Sequence, residues 1–148
     1  MTTLVQRTAE ELNKITSAII NAAIAVHRAL GPGLFENVYR ICLAHELRAA
    51  GLKVEQERAI RLIYKGMVIG SAYKADLDVE DCVFVEVKAV DAVAPIHLRQ
   101  VSTYIRLADY RVGLLLNFGA AVMKDGIHRV VNDFPQSASP ERPRSSSS

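Results

Sequence analysis

Residues 73–88 read YKADLDVEDCVFVEVK, and this stretch decides the fold because its polarity alternates from one residue to the next. An alternation of period two predicts two short strands, and the acidic pair at 80–81 predicts the turn between them. On each predicted strand the apolar side chains share one face: Ala75, Leu77 and Val79 on the first, and Val83, Val85 and Val87 on the second.

The length of the loop between these strands decides which side chains meet across the hairpin. A two-residue turn at 80–81 would set Asp76 against Val85 and mix polar with apolar side chains on each face. A three-residue loop keeps both faces uniform and sets Asp76 against Glu86. We therefore predict the three-residue loop, with two carboxylates side by side.

Two adjacent carboxylates repel each other and raise the pKa of one of them unless a cation lies between them. Mg²⁺ is such a cation, because it prefers oxygen ligands and keeps several waters. Lys88 follows Glu86 by two residues, so its ammonium group reaches the same face and could orient a water or stabilise charge on a phosphate. The alternative is a solvent-exposed hairpin face with alternating charges, which so short a pattern also fits.

The rest of the chain predicts a mixed α/β domain. The first helix begins near Thr8, which forms a capping box with Glu11, and it ends at the Gly-Pro-Gly turn of residues 31–33. The order of elements indicates a sheet that is at least partly antiparallel. The remaining elements are predicted as a helix over 34–50 with Val38, Cys42 and Leu47 or Ala49 inward, strands over 53–64, 67–69, 71–79 and 82–90, a helix over 95–108, and strands over 111–118 and 127–131.

Composition limits the class of protein. The chain has 148 residues, half of them hydrophobic and 23% charged, which predicts one globular domain over residues 1–134. The last stretch, 135–148, is rich in Pro and Ser and is predicted to be a disordered tail.

A net charge of +2 excludes binding driven by bulk positive charge. Two cysteines exclude a disulfide framework or a four-cysteine zinc site. With no signal peptide or membrane-spanning stretch in view, we expect a cytoplasmic protein without a membrane partner.

Seven motifs follow one another along the chain: residues 26–33 (VHRALGPG), 33–39 (GLFENVY), 73–76 (YKAD), 85–90 (VEVKAV), 95–97 (PIH), Gln100 with Tyr104, and 113–119 (GLLLNFG). In this order they resemble the motifs of the small GxxExxY proteins, which belong to the PD-(D/E)xK nuclease superfamily. The resemblance covers roughly residues 15–131 and implies an α/β fold of the restriction-endonuclease-like type, RecB-like branch, with a mixed β-sheet flanked by α-helices. Lys74 departs from the family, where an Arg is frequent.

The resemblance also implies a metal site. Asp76 and Glu86 would be ligands of Mg²⁺, for which Mn²⁺ can substitute, with the Val87 carbonyl as a further ligand. Glu36 would hold the metal directly or through water, although an acid in the first turn of a helix is also favoured by the helix dipole. Lys88 would position the attacking water or polarise the scissile phosphate.

Further residues would complete the site and contact the substrate. Gln100 would project from the helix over 95–108 towards the metal, and Tyr104 would touch the phosphate or support Gln100, unless its ring only covers the core. Lys74, His97 and Arg99 are candidate substrate contacts. For His97 and Arg99 the alternatives are a structural role at the helix start and a solvated helix face.

These observations predict a Mg²⁺-dependent nuclease that acts on DNA or RNA, with DNA preferred. A chain of this size has no separate specificity domain, so a homodimer is one way to hold a duplex. One alternative is a module with the nuclease fold that binds nucleic acid or a partner protein without cleaving. A weaker alternative is a metal-dependent hydrolase of small phosphate compounds.

Overall fold

The computed structural model describes residues 6–137, apart from the side chains of Ser71 and Ala72, so most of the predicted tail lies outside the described residues. Within this range, no helix combines the length and the apolar composition that crossing a membrane requires. The elements in chain order are α1 (Ala9–Leu30), α2 (Glu36–Ala49), β1 (Val54–Tyr64), β2 (Met67–Val79), β3 (Val83–Lys88), α3 (Pro95–Leu107), β4 (Val112–Asn117), a 3₁₀ turn (Met123–Gly126) and β5 (Ile127–Val131).

The five strands form one mixed sheet in the order β1-β2-β3-β4-β5. All neighbouring pairs are antiparallel except β3 and β4, which run parallel and are joined by α3. Parallel neighbours need such a crossover, because a tight turn cannot return the chain to the same end of the sheet. The predicted mixed α/β architecture is confirmed.

The helices cover both faces of the sheet and divide the core into two layers. The larger layer lies under α1 and α2 and contains Ile19, Leu43, Leu77, Val85 and Leu114, all of which are fully buried. The smaller layer lies under α3 and contains Ile60, Ala75, Phe84, Val101, Ile105 and Leu115. Strands β3 and β4 contribute side chains to both layers, which explains why they are apolar at nearly every position.

The ends of α1 are those that the sequence predicts. The Glu11 N–H donates to the Thr8 hydroxyl at 3.2 Å, and Gly31 ends the helix with φ = 68°. Helix α2 differs from the expectation, since Val38 and Cys42 are only half-buried. Its buried side chains are Tyr39, Leu43, Ala44 and Leu47.

The hairpin of β2 and β3 has the predicted register. Val79 pairs with Val83 and Leu77 pairs with Val85, so the loop between the strands holds three residues. The predicted break between two strands at 69–71 is wrong, because β2 runs without interruption. The irregularity there is a shift of register: Ile60 of β1 pairs with Tyr73, whereas Leu62 pairs with Ile69.

The pleat of β2 changes phase at Asp76, and here the predicted faces are wrong in part. Leu77 packs in the layer under α1 and α2, but Ala75 packs under α3. The pairing of β1 with β2 skips Asp76 and the opposite residue, Glu57, whose φ of 51° lies in a region that side-chain-bearing residues seldom adopt. As a result, Tyr73 lies on the α3 side of the sheet, where regular alternation would not place it.

Candidate active site

The carboxylates of Asp76 and Glu86 lie side by side where β2 and β3 part, as the hairpin register predicts. Glu86 is 7% exposed, and its Oε2 accepts a hydrogen bond of 2.5 Å from the Tyr73 hydroxyl. Asp76 Oδ2 accepts the Val87 N–H at 2.8 Å, which fixes its carboxylate beside the end of β3. Lys88 Nζ lies 3.8 Å from Glu86 Oε1, so the site joins two acids and one cation.

The positive charge near Asp76 and Glu86 is too small to balance their two carboxylates. Burial, and next the charge of Asp76, raise the pKa of Glu86 to about 8, while the Tyr73 hydroxyl and Lys88 act in the opposite direction. Burial, and next the hydrogen bond to Glu86, raise the pKa of Tyr73 above its usual range. A single lysine at 3.8 Å therefore does not compensate for two carboxylates.

Tyr73 and Tyr104 form the wall of the site on the α3 side. Their rings are stacked, with centroids 3.6 Å apart and planes inclined by 10°. Phe84 lies in the same stack, 6.2 Å from Tyr73 and 6.1 Å from Tyr104. Tyr104 thus contacts Tyr73, which binds Glu86, and its predicted contact with the phosphate or with Gln100 stays a prediction. The role of Tyr73 was not predicted, although the residue lies in one of the motifs, because alternation along β2 puts it on the wrong face.

Of three other residues with predicted site roles, Val87 contacts this cluster through its backbone, whereas Glu36 and Gln100 are exposed on their helices. Glu36 is the first residue of α2 and is exposed. In the part of the chain that the structure describes, no three Asp, Glu, His or Cys side chains come together as a metal-binding group, so Glu36 does not join Asp76 and Glu86. Gln100 is exposed on α3, one turn before Tyr104. Val87 is buried, and its N–H is the group that contacts Asp76.

The predicted substrate contacts occupy three different places. Lys74 is exposed and pairs with Ala59 of β1, so it lies on the face of the sheet opposite to Tyr73. His97 Nδ1 accepts the Ala94 N–H at 3.3 Å and so closes the start of α3, which is the structural alternative. Arg99 lines a shallow groove of about 520 Å³ between α3 and β5.

The segment that follows Lys88 is held by Asn117, the last residue of β4. The buried Asn117 amide accepts the Val90 N–H at 3.0 Å and donates to the Val90 carbonyl at 2.9 Å. The Phe118 N–H donates to the Lys88 carbonyl at 2.8 Å. Gly119 packs directly against Val90: a Cβ added to Gly119 would lie 2.3 Å from the Val90 carbonyl oxygen. The motif at 113–119 therefore supports the site and does not line it.

Tyr39, the last residue of the motif at 33–39, has a structural function. The Tyr39 hydroxyl donates to the Gly31 carbonyl at 2.5 Å and accepts the Leu34 N–H at 3.1 Å. Its ring stacks on Phe118 with a centroid distance of 4.6 Å. These contacts fix the turn before α2, and with it the position of Glu36.

The donor set fits a divalent cation. Two adjacent carboxylates supply oxygen ligands, which hard cations such as Mg²⁺ prefer. Burial and the neighbouring Asp76 disfavour the charged form of Glu86 and raise its pKa. A divalent cation bound next to Lys88 would stabilise both carboxylates in their charged form.

Comparison with known proteins gives one family match. The model of a family described as the PD-(D/E)XK nuclease superfamily matches residues 13–130, a span that contains every side chain of the site. A solved structure, described as "Crystal structure of SSO0001", is similar over 93% of this chain and 71% of that one, at 15% sequence identity and a TM-score of 0.43. No curated protein matches the chain.

Proposed function

This chain belongs to the PD-(D/E)XK nuclease superfamily, and on that premise we propose that it is a nuclease that hydrolyses phosphodiester bonds with Mg²⁺, for which Mn²⁺ can substitute. One observation carries the proposal: Asp76 and Glu86 meet from neighbouring strands, with Lys88 beside Glu86. The same three residue types in the same order name the superfamily. The motifs further support assignment to the GxxExxY proteins and the RecB-like branch.

The proposed ligands of the cation are the Asp76 and Glu86 carboxylates and the Val87 carbonyl, with Glu36 as an outer ligand held through water. A divalent cation bound there supplies the Lewis acidity that stabilises negative charge on phosphate oxygens. Tyr73 keeps the Glu86 carboxylate in one orientation through its hydrogen bond. Asp76 is kept in place by the Val87 N–H.

Lys88 is the residue that we assign to the attacking water or the scissile phosphate. Its ammonium is half-buried at the open end of β3, where it can donate to an oxygen next to Glu86. Gln100 and Tyr104, one turn apart on α3, would border the bound phosphate. In this arrangement the protein orients the reactants, and its two acids determine where the divalent cation binds.

DNA is the proposed substrate ahead of RNA, in line with the superfamily. A homodimer is proposed as the form that holds a duplex, because one small domain offers a short contact surface. The cytoplasm is the proposed location. The two cysteines are unpaired, which suits a reducing compartment.

The test is a cleavage assay on plasmid, linear duplex and single-stranded DNA and on RNA, with Mg²⁺ or Mn²⁺ and with EDTA as the control. We expect cleavage that EDTA abolishes and that falls by about 10³-fold or more in Glu86→Gln and in Lys88→Ala. Glu46→Gln, an exposed acid on α2, serves as the matched control and should cleave like the wild type.

Two outcomes would contradict the proposal. One is an absence of metal-dependent cleavage on every substrate. The other is full activity in Glu86→Gln or Lys88→Ala, since the chemistry would then lie elsewhere.

A second candidate function is binding of nucleic acid or a protein partner without cleavage. It is favoured by the separation of Glu36 from the Asp76–Glu86 pair, which leaves two acids together where the family pattern implies three. Binding that depends on salt, with no turnover at any metal concentration, would support this candidate. Turnover that depends on Glu86 would exclude it.

A further inference from the structure

The outer part of the β1–β2 hairpin, residues 61–74, projects beyond the rest of the sheet, and we call it the arm. Strand β2 pairs with β3 only through Leu77, Asp78 and Val79, and β1 is the edge of the sheet. Residues 61–74 therefore form a two-stranded ribbon with β1 and β2 as its only strands. It ends at a turn of Lys65 and Gly66, about 15 Å beyond Ile60 at roughly 3.3 Å per residue.

Large apolar side chains are exposed along the arm. A two-stranded ribbon is at best marginally stable in water when nothing covers it. They lie on both faces of the ribbon, because Ile63 pairs with Val68 whereas Tyr64 pairs with Met67, and so many exposed apolar groups mark an interaction surface. The exposed fractions are 69% for Ile63, 57% for Tyr64, 57% for Met67, 48% for Val68 and 39% for Ile69.

Every charged residue of the arm is a cation. Arg61, Lys65 and Lys74 give it a charge of +3, which exceeds the +2 of the whole chain. All three are exposed, and within residues 6–137 none of them forms an ion pair with an acid. The positive charge that the chain as a whole lacks is therefore concentrated here and is not neutralised.

Charge and apolar groups lie together on the face of the arm turned away from α3. Ile60 packs under α3, so the alternation of β1 places Arg61 and Ile63 on the other face. Val68 pairs with Ile63, and Lys74 pairs with Ala59, two residues before Arg61. This face combines cations, which can bind phosphates, with apolar side chains, which can bind bases.

We propose that the arm binds double-stranded nucleic acid and holds it next to the carboxylate pair. The inference rests on the proposed function and names the form of its substrate. A two-stranded ribbon fits a major groove of about 12 Å, where Lys and Arg contact phosphates and apolar groups contact base edges. The arm ends at Lys74, two residues before Asp76 in the same strand, so a duplex held along it passes the point where β2 and β3 part. Its contact face is opposite to the face that carries Tyr73, so the duplex must extend around this edge of the sheet to meet the carboxylate pair.

Charge also decides between this partner and a second copy of the chain. Two arms that dock on each other would bring six cations together with no acid between them, which opposes that contact. A polyanion gains from all three cations of one arm and releases counterions when it binds.

The experiment compares duplex binding by three proteins in the Glu86→Gln background, in EDTA, so that binding is measured apart from cleavage. The first has no further change. The second carries Arg61→Gln, Lys65→Gln and Lys74→Gln. The third, a matched control, carries Lys14→Gln, Arg28→Gln and Lys124→Gln, which remove three exposed cations outside the arm. Fluorescence anisotropy of a labelled 20-base-pair duplex is recorded from about 50 to 200 mM salt.

We expect the arm variant to bind at least about tenfold more weakly and its slope of log K against log salt to be flatter by roughly 2 to 3. The control should keep the slope of the parent protein. A variant with Ile63→Ser and Val68→Ser should also weaken binding while leaving the salt slope unchanged, because it removes no charge. Circular dichroism and a denaturation midpoint check that each variant is folded.

Three results would overturn the proposal: equal loss in the arm and control variants, equally tight binding of the matching single strand, or a homodimer that the Ile63→Ser and Val68→Ser variant dissociates while duplex binding is unchanged. Cleavage is tested separately in proteins that retain Glu86. If the arm variants show the same metal-dependent cleavage as the wild type, duplex binding by the arm is refuted but the proposed chemistry is not. If the arm binds duplex but no cleavage occurs, the proposed chemistry is refuted but duplex binding by the arm is not.

Discussion

Tyr73 and Glu86 are joined by a hydrogen bond of 2.5 Å between the tyrosine hydroxyl and Oε2 of the carboxylate. The two residues belong to different strands, and the change of pleat at Asp76 is what brings them to the same face. Tyr104 in turn stacks on Tyr73 from α3. The orientation of a buried acid is thus fixed by a chain of contacts that reaches α3.

We predict that Tyr73→Phe lowers the free energy of unfolding by about 1 to 2 kcal/mol, because it removes a hydrogen bond to a buried acid but keeps the stacked ring. It should also raise the pKa of Glu86 further, since the Tyr73 hydroxyl favours the charged form. Urea denaturation measures the first effect, and the acid limb of the pH–rate profile measures the second. Tyr64→Phe, at a ring that is 57% exposed, is the control. Equal stability of the two variants would contradict the prediction.

The stability of the metal-free protein should fall as pH rises from about 4.5 to about 8. Burial and Asp76 raise the pKa of Glu86 from 4.5 to about 8, so in this window the folded state holds a proton that the unfolded state has released. The unfolded state is then favoured progressively, by a total on the order of 5 kcal/mol. Denaturation in EDTA at several pH values measures this slope.

Glu86→Gln has no proton to lose, and its stability should change less over the same pH range. Glu46→Gln removes an exposed acid and should follow the wild type. If the Glu86→Gln and wild-type slopes coincide, the buried carboxyl is not the group that titrates.

Mn²⁺ should raise the melting temperature of the wild-type protein without any nucleic acid present. A cation that binds only the folded state stabilises it by about 2.7 kcal/mol at 100 times its Kd. Asp76→Asn should remove most of this stabilisation, because it takes one of the two adjacent charges from the site. Asp125→Asn alters an exposed acid in the 3₁₀ turn and should keep it. A melting temperature that does not respond to Mn²⁺ in the wild type would count against the metal site.

Gly119→Ala should destabilise the fold by about 1 to 3 kcal/mol, because the new Cβ would meet the Val90 carbonyl oxygen at 2.3 Å. Relief of this contact moves the segment that follows Lys88, so cleavage should fall as well. Gly70→Ala is the matched control, since a Cβ there meets no atom within 4 Å. A thermal denaturation series compares them, and a Gly119→Ala protein as stable as Gly70→Ala would show that the segment adapts without cost.

The sequence was sufficient for features that depend on local periodicity. Thr8 and Gly31 mark the ends of α1, Pro95 opens α3, and residues 127–131 form the last strand, all as predicted. The three-residue loop followed from the need to keep each face of the hairpin uniform, and it placed Asp76 beside Glu86. Such features are readable because each of them is determined by neighbours a few residues away.

Tertiary structure determined what periodicity cannot express. The pleat change at Asp76 moves Ala75 and Tyr73 to the α3 side, and no residue in residues 73–88 signals it. The buried face of α2 is set by Tyr39, whose ring meets Phe118 from a distant strand end. The sequence by itself determined which acids and which lysine meet, because their spacing follows from the period of a strand. Only the packing of the sheet against α3 decided which tyrosine holds the buried acid, because that contact joins elements that alternation treats as independent.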